Sequence, residues 1–382
     1  MLIHIGPPKT GTSAIQYWLN CNRKILTENG YYYPRHAIDK NKVSSGNILS
    51  IFDLNNQKLS INNKKIRILL KKFKHSNAHT LLLSSEIFFF TDLELLSRLF
   101  GNTKFIAYII SPLDFLESGY IQSVKRRGNT ETITLSTKLN SPTAELKDAI
   151  SRIGMKRFHL RAYNKDLFEH GDVVDDFLSF IKITRHSRLS SHKINPSYCF
   201  EALEVKRWLN QFHMDSAIDS MIDAVLQQFD QSNRYFSCIP PAVYEKYRIQ
   251  SIDSLADFCG RYEVVNGDRL MKLVRKRSQR AYRKQALTEE EVAAVASFIK
   301  MKIKPLYFYI CRYIHAQSSM DCGMSGYRKS FTDLPPKSIF SNPCGSFSFH
   351  PISWEQKLRL LLIRWRRLYV FFDSMSRRIR KS

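Results

Sequence analysis

The sequence predicts an α/β fold, a central and mainly parallel sheet flanked by helices, followed by a helical C-terminal part. Three observations carry this. Short apolar runs recur at 2–6, 80–83, 105–110 and 157–160, each bounded by polar or turn residues. Helical apolar spacing fills the intervals at about 91–100, 113–125 and 143–153, and appears again at 171–182. From about 198 to 315 the pattern is mostly helical, with segments at 198–211, 215–229, 242–260 and 288–303. Strands that alternate with helices need crossover connections, which make neighbouring strands parallel and cover both sheet faces.

Taken in order, the first run ends in Gly6-Pro7-Pro8, and Thr12 to Asn20 follows with Ile15, Trp18 and Leu19 at helical spacing. Apolar run, Gly/Pro break and helical stripe read as strand, tight loop and helix. The later runs repeat this alternation, and no internal repeat is visible. The expected organisation is one domain over 1–315, with a sheet core at 1–190 and a mostly helical part at 191–315. Residues 316–352, rich in Ser, Gly and Pro, read as a linker or irregular loop. In 353–382, Trp354, Leu358, Leu361, Trp365, Leu368 and Phe372 make an apolar stripe among Arg and Lys, the composition of a basic amphipathic helix.

The 382 residues include 59 Lys and Arg against 34 Asp and Glu, a formal charge of +25 that favours polyanionic partners: nucleotides, acidic glycans, nucleic acid or an anionic membrane. A hydrophobic fraction of 43% with 12% aromatic residues excludes general disorder. The seven cysteines are scattered without metal-ligand spacing and read as reduced thiols. The opening MLIHIGPPKTGTS has no secretory pattern, and nothing reaches the ~20 apolar residues of a membrane span. A cytoplasmic protein is expected. The tail at 354–382 adds an expected association with the inner face of an anionic membrane.

The chemistry is concentrated in Gly6-Pro7-Pro8-Lys9-Thr10-Gly11-Thr12-Ser13. A loop between a strand and a helix directs backbone N–H groups and the helix N-terminus at one point, and Lys9 adds a positive charge, so an anion belongs there. The nucleoside triphosphatase loop would place Lys after the second glycine; here Lys9 precedes Gly11.

These residues resemble the 5′-phosphosulfate loop of sulfotransferases that use 3′-phosphoadenosine 5′-phosphosulfate (PAPS), and specifically bacterial, carbohydrate-sulfotransferase-like members with a P-loop fold. The resemblance implies Pro8, Lys9, Thr10, Gly11, Thr12 and Ser13 as donor-binding residues, with Lys9 near the bridging and sulfate oxygens. Tyr108 to Lys125 is similar to the family's element for the donor's 3′-phosphate, in which Ser118 matches the phosphate-binding serine. The family's Arg two residues before Pro112 is Ile110 here. Lys125, Arg126 or Arg127 then has to supply that charge, or the donor site is degraded. Leu160 to Tyr163, the stretch around Gly171 to Phe177, and Lys193 to Ser197 are also similar to bacterial members, which adds Arg161 and Tyr163 as candidates.

For a catalytic base, Ser84-Ser85-Glu86 stands at the C-terminal end of an apolar strand, the edge at which open α/β sheets hold ligands. Glu86 either accepts the acceptor's proton or positions Lys9. His36 is a weaker alternative. The expected activity is sulfuryl transfer from PAPS, without a metal, to a hydroxyl of a glycan or glycolipid; a degraded sulfotransferase-like protein and a nucleotide- or phosphate-transferring P-loop enzyme are the alternatives. The latter needs Mg²⁺ ligands where the sequence has Ser-Ser-Glu. No nucleic-acid recognition module is visible, and no specific nucleic-acid partner is expected.

Overall fold

A computed structural model describes residues 1–38, 44–55, 58–184, 197–212, 214–230, 234–317 and 325–333. The expected tail helix at 353–382, residues 318–324 and 334–352 of the expected linker, and Lys193 to Pro196 lie outside them; residues 325–331, expected as linker or irregular loop, are helical instead, with Tyr327 and Phe331 buried. The chain begins with β1 (Leu2–Gly6), α1 (Thr12–Cys21), α2 (Arg23–Glu28) and β2 (Tyr31–Tyr32). A hairpin of β3 (Phe52–Asn55) and β4 (Lys58–Ile61) precedes α3 (Asn63–Lys74), β5 (Thr80–Ser84), α4 (Leu93–Phe100) and β6 (Lys104–Ile109). Then come α5 (Pro112–Arg126), α6 (Thr143–Ile153), β7 (Phe158–Ala162), α7 (Val173–Phe180), α8 (Phe200–Leu209) and α9 (Ser216–Leu226). The remainder is β8 (Phe236–Ser237), α10 (Pro241–Arg261), β9 (Val264–Val265), α11 (Gly267–Lys276), β10 (Ala281–Tyr282), α12 (Glu289–Lys302), α13 (Lys304–Ala316) and α14 (Ser325–Arg328).

Helix boundaries follow local chemistry. Asn62, Asp92, Asp172 and Thr288 cap α3, α4, α7 and α12 by accepting a backbone N–H, and Glu291 completes a capping box with Thr288. Pro112 and Pro241 stand at the start of α5 and α10, where a missing N–H costs nothing.

Six strands form one parallel sheet in the order β2-β5-β1-β6-β7-β9. Alternate strand residues bury opposite faces. Leu2, Leu82, Ile106 and Tyr108 pack with Ile15 and Leu19 of α1 and Val174 and Phe177 of α7. Ile3, Ile5, Leu81, Leu83, Phe105 and Ala107 pack on the other face with side chains of α3, α4, α6, α10 and α11.

Two compact units result. Met1–Phe200 and Asn233–Gln285 make the sheet unit; Glu201–Ser232 and the residues from Ala286 onward make the second. The helical segments expected from about 198 to 315 are therefore divided: α10 and α11 cover the sheet, and the two-residue β9 extends it beside β7. In the second unit α9, α12 and α13 pack on one another, and Trp208 lies edge-on to Phe212 at 5.1 Å.

The sheet order also places a ligand crevice. From β1 the chain crosses to β2 and returns to β5; from β6 it steps the opposite way to β7. The ends of β1 and β6 thus flank a topological switch point, the position at which open α/β sheets bind ligands.

Candidate functional site

The loop after β1 lies at that crevice. Gly6, Lys9 and Gly11 adopt positive φ angles of 89°, 71° and 74°, which fold the chain back before α1 starts at Thr12. Thr10 donates its hydroxyl to the Pro7 carbonyl at 2.6 Å and fixes the turn from inside. Gly11 is required by space as well as by φ, because a Cβ there would lie 2.8 Å from Cγ1 of Val173 at the start of α7. No side chain caps α1, and its first turn holds no acidic residue. Among the described residues, the amides of Gly11, Thr12 and Ser13 donate to no protein acceptor. Amides at a helix N-terminus with a positive end-dipole form a site for an anion.

Charge at the loop is arranged to match. Lys9 Nζ lies 3.4 Å from Gln122 Oε1 of α5. Burial lowers the Lys9 pKa most, Glu86 opposes that shift, and Arg126 adds to it. Burial likewise raises the Glu86 carboxyl, against the pull of Lys9 and Arg127. Ser85 at the end of β5 accepts the Ile87 N–H and so sets the turn that carries Glu86. Three cations and one carboxylate therefore act on one another here, leaving a positive excess. A bound anion would relieve the destabilised ammonium, and a carboxylate displaced towards neutral pH is suited to accept a proton.

Other expected residues occupy different places. Ser118 is partly buried on α5, and its hydroxyl donates back to the Asp114 carbonyl at 2.6 Å. Lys125 is buried, with Nζ 4.7 Å from the Tyr198 ring centre, so its charge rests on an aromatic face. Ile110, where the resembling family has Arg, is buried. Arg161 does not join the loop: its guanidinium forms a two-point pair with Asp176 of α7 at 2.8 and 2.9 Å, and the Tyr108 hydroxyl donates to the same carboxylate. That pair binds α7 to the sheet. Tyr163 does reach the loop, with a ring carbon 3.4 Å from where a Gly11 Cβ would stand, and burial pushes its phenol up to about 12. His36 lies between the Tyr33 hydroxyl at 3.0 Å and the Ser44 hydroxyl at 2.7 Å, with its pKa lowered by burial.

Sequence reasoning gave no role to Gln122, although it stood inside the quoted α5 segment. It also missed Arg277, which pairs with Asp114, and Arg280, which acts on the buried Glu117. These arginines are about 160 residues from α5 in sequence, in a stretch without periodicity, so no local signal could find them.

Five cysteines among the described residues are free thiols, no group of His, Cys, Asp and Glu there has the arrangement of a metal site, and no described helix is long and apolar enough to cross a membrane. No family model matches the chain, and no curated protein or solved structure matches it significantly.

Proposed function

We propose that the protein is a sulfotransferase that moves a sulfuryl group from PAPS to a hydroxyl of a glycan or glycolipid. The observation that carries this reading is the Lys9 loop, in which three amides without protein acceptors among the described residues and one ammonium stand beside a carboxylate. In the transfer, the acceptor oxygen bonds to sulfur as the bond from sulfur to the bridging phosphate oxygen breaks. Products are a sulfate ester and 3′-phosphoadenosine 5′-phosphate. Lys9 and the amides of Thr10 to Ser13 stabilise the negative charge that grows on the leaving oxygen, in a geometry set before the reaction. Glu86 takes the acceptor's proton, for which its raised pKa suits it. Pro8 shapes the turn, Arg126 adds positive field at the loop, and Ser118 marks the α5 surface for the donor's second phosphate.

The P-loop likeness of the fold belongs to this same reading; its support is the strand order and the strand, loop and helix sequence at β1. The cytoplasmic location, and the membrane contact through 354–382, rest on sequence alone. Ile110 favours a second reading, a sulfotransferase-like protein that has lost donor binding, because a buried aliphatic side chain cannot hold a phosphate.

Calorimetric titration with 3′-phosphoadenosine 5′-phosphate separates the two: micromolar affinity is expected, and no heat of binding means the degraded reading is right. Transfer of labelled sulfate to cell-envelope glycans, unaffected by a chelator, tests the activity itself.

A further inference from the structure

Away from the Lys9 loop, α3 reads NKKIRILLKKFK: six of its twelve residues are Lys or Arg and none is acidic. Ile66 and Leu69 are buried in the core on the sheet and fix the inner face of the helix. At about 3.6 residues per turn, the line opposite them carries Lys64, Ile68, Lys71 and His75, with Arg67 and Lys74 on one flank and Lys72 on the other. All seven are exposed. Lys65 is the exception: it pairs with Asp53 at 2.7 Å and donates to the Phe52 carbonyl at 2.8 Å, which ties β3 to the helix. The other five cations of α3 have no carboxylate partner among the described residues.

Apolar side chains stand among these charges. Ile68, at the centre of the outer line, is 46% exposed, and Leu70, about one turn from both Arg67 and Lys74, is 40% exposed. Leu54 of the tied strand is 57% exposed. A helix side that meets only water is ordinarily polar, so the outer face of α3 combines unneutralised cations with aliphatic groups that water does not favour.

We propose that this face docks on an anionic lipid surface. Phosphate and carboxylate headgroups meet the ammonium and guanidinium groups, while Ile68 and Leu70 enter the boundary between headgroups and acyl chains. Lysine stems lie along that boundary and keep their charged ends among the headgroups. Other occupants match only part of the face. A second copy of it, or the Arg-rich segment at 353–382, brings like charge. A soluble polyanion neutralises the cations and leaves Ile68 in water. None of these residues belongs to the Lys9 loop, so the docking is independent of the transfer chemistry.

The full chain is expected to sediment with vesicles of phosphatidylserine and phosphatidylcholine and not with phosphatidylcholine alone. No pelleting, or equal pelleting with both, overturns the proposal. Lys64→Gln/Lys71→Gln/Lys72→Gln in the full chain removes three surface cations and should lower the partition coefficient roughly 100-fold. The 353–382 segment is present in both proteins, so an unchanged coefficient means that α3 does not dock and also overturns it. Ile68→Trp separates lipid from a soluble polyanion: its emission is expected to shift to the blue with the anionic vesicles. An unshifted emission, or a shift produced equally by heparin, overturns the lipid assignment.

Discussion

Lys9 and Arg161 are both cations that the sequence marks as ligand-facing, yet their surroundings treat them in opposite ways. Arg161 is matched by a buried carboxylate with parallel hydrogen bonds, and the Tyr108 hydroxyl completes that acceptor. Its charge is cancelled inside the protein. Lys9 is partly buried with a long contact to Gln122 as its one hydrogen bond among the described residues, feels Arg126 as well as Glu86, and has its ammonium disfavoured by desolvation. Charge of one sign near the C-terminal ends of two strands of one sheet therefore serves two purposes. A cation neutralised by its own fold holds helices in place, whereas a cation that the fold penalises favours whatever anion arrives.

The contrast can be broken most forcefully at Asp176. Asp176→Ala leaves the Arg161 guanidinium and the Tyr108 hydroxyl without their acceptor in a buried layer, and should cost about 3 kcal/mol in urea denaturation. An unchanged midpoint would mean that the pair does not anchor α7. Lys9→Ala should behave in the reverse manner. Folding stability stays level or rises, while affinity for 3′-phosphoadenosine 5′-phosphate by calorimetry falls about 10- to 100-fold, the range for a charge-assisted contact.

Gly11→Ala tests how closely the two regions are joined, since Val173 of the anchored α7 is the atom group a new Cβ would strike. A positive φ and this clash together predict a loss of about 1.5 kcal/mol, read as a lower thermal midpoint. The last test is a slope with pH, spread over several units. His4 titrates near 6.5 when unfolded and at about 3 when folded, so the unfolded chain binds the proton first. Its contribution is complete above pH 6.5 and declines towards pH 3 by up to about 1.4 kcal/mol per pH unit. His4→Asn should flatten that part of the urea-midpoint profile between pH 6.5 and 5.

Much of the candidate site's local structure was legible because its determinants are contiguous. Gly6 to Ser13 must break a strand and start a helix, and the structure places strand, loop and helix there. Glu86 could be read from the end of an apolar run. The pairing of Arg161 could not be read: its partner lies on α7, fifteen residues on, and nothing local in the sequence distinguishes a paired arginine from an available one. Lys125 was obscured similarly by Tyr198, far along the chain. The division of the helical half was hidden because β9 is two residues long, too short to show alternation.

By itself, the sequence determined the four longer strands of the parallel sheet, the helices that follow them, and the strand, loop and helix of residues 2–21, because hydrophobic period, caps and turn residues act over a few neighbours. Tertiary structure alone decided which charges are cancelled, which are strained, and which helices cover the sheet. Those outcomes depend on burial and on partners distant in sequence, and desolvation belongs to the folded environment rather than to any residue.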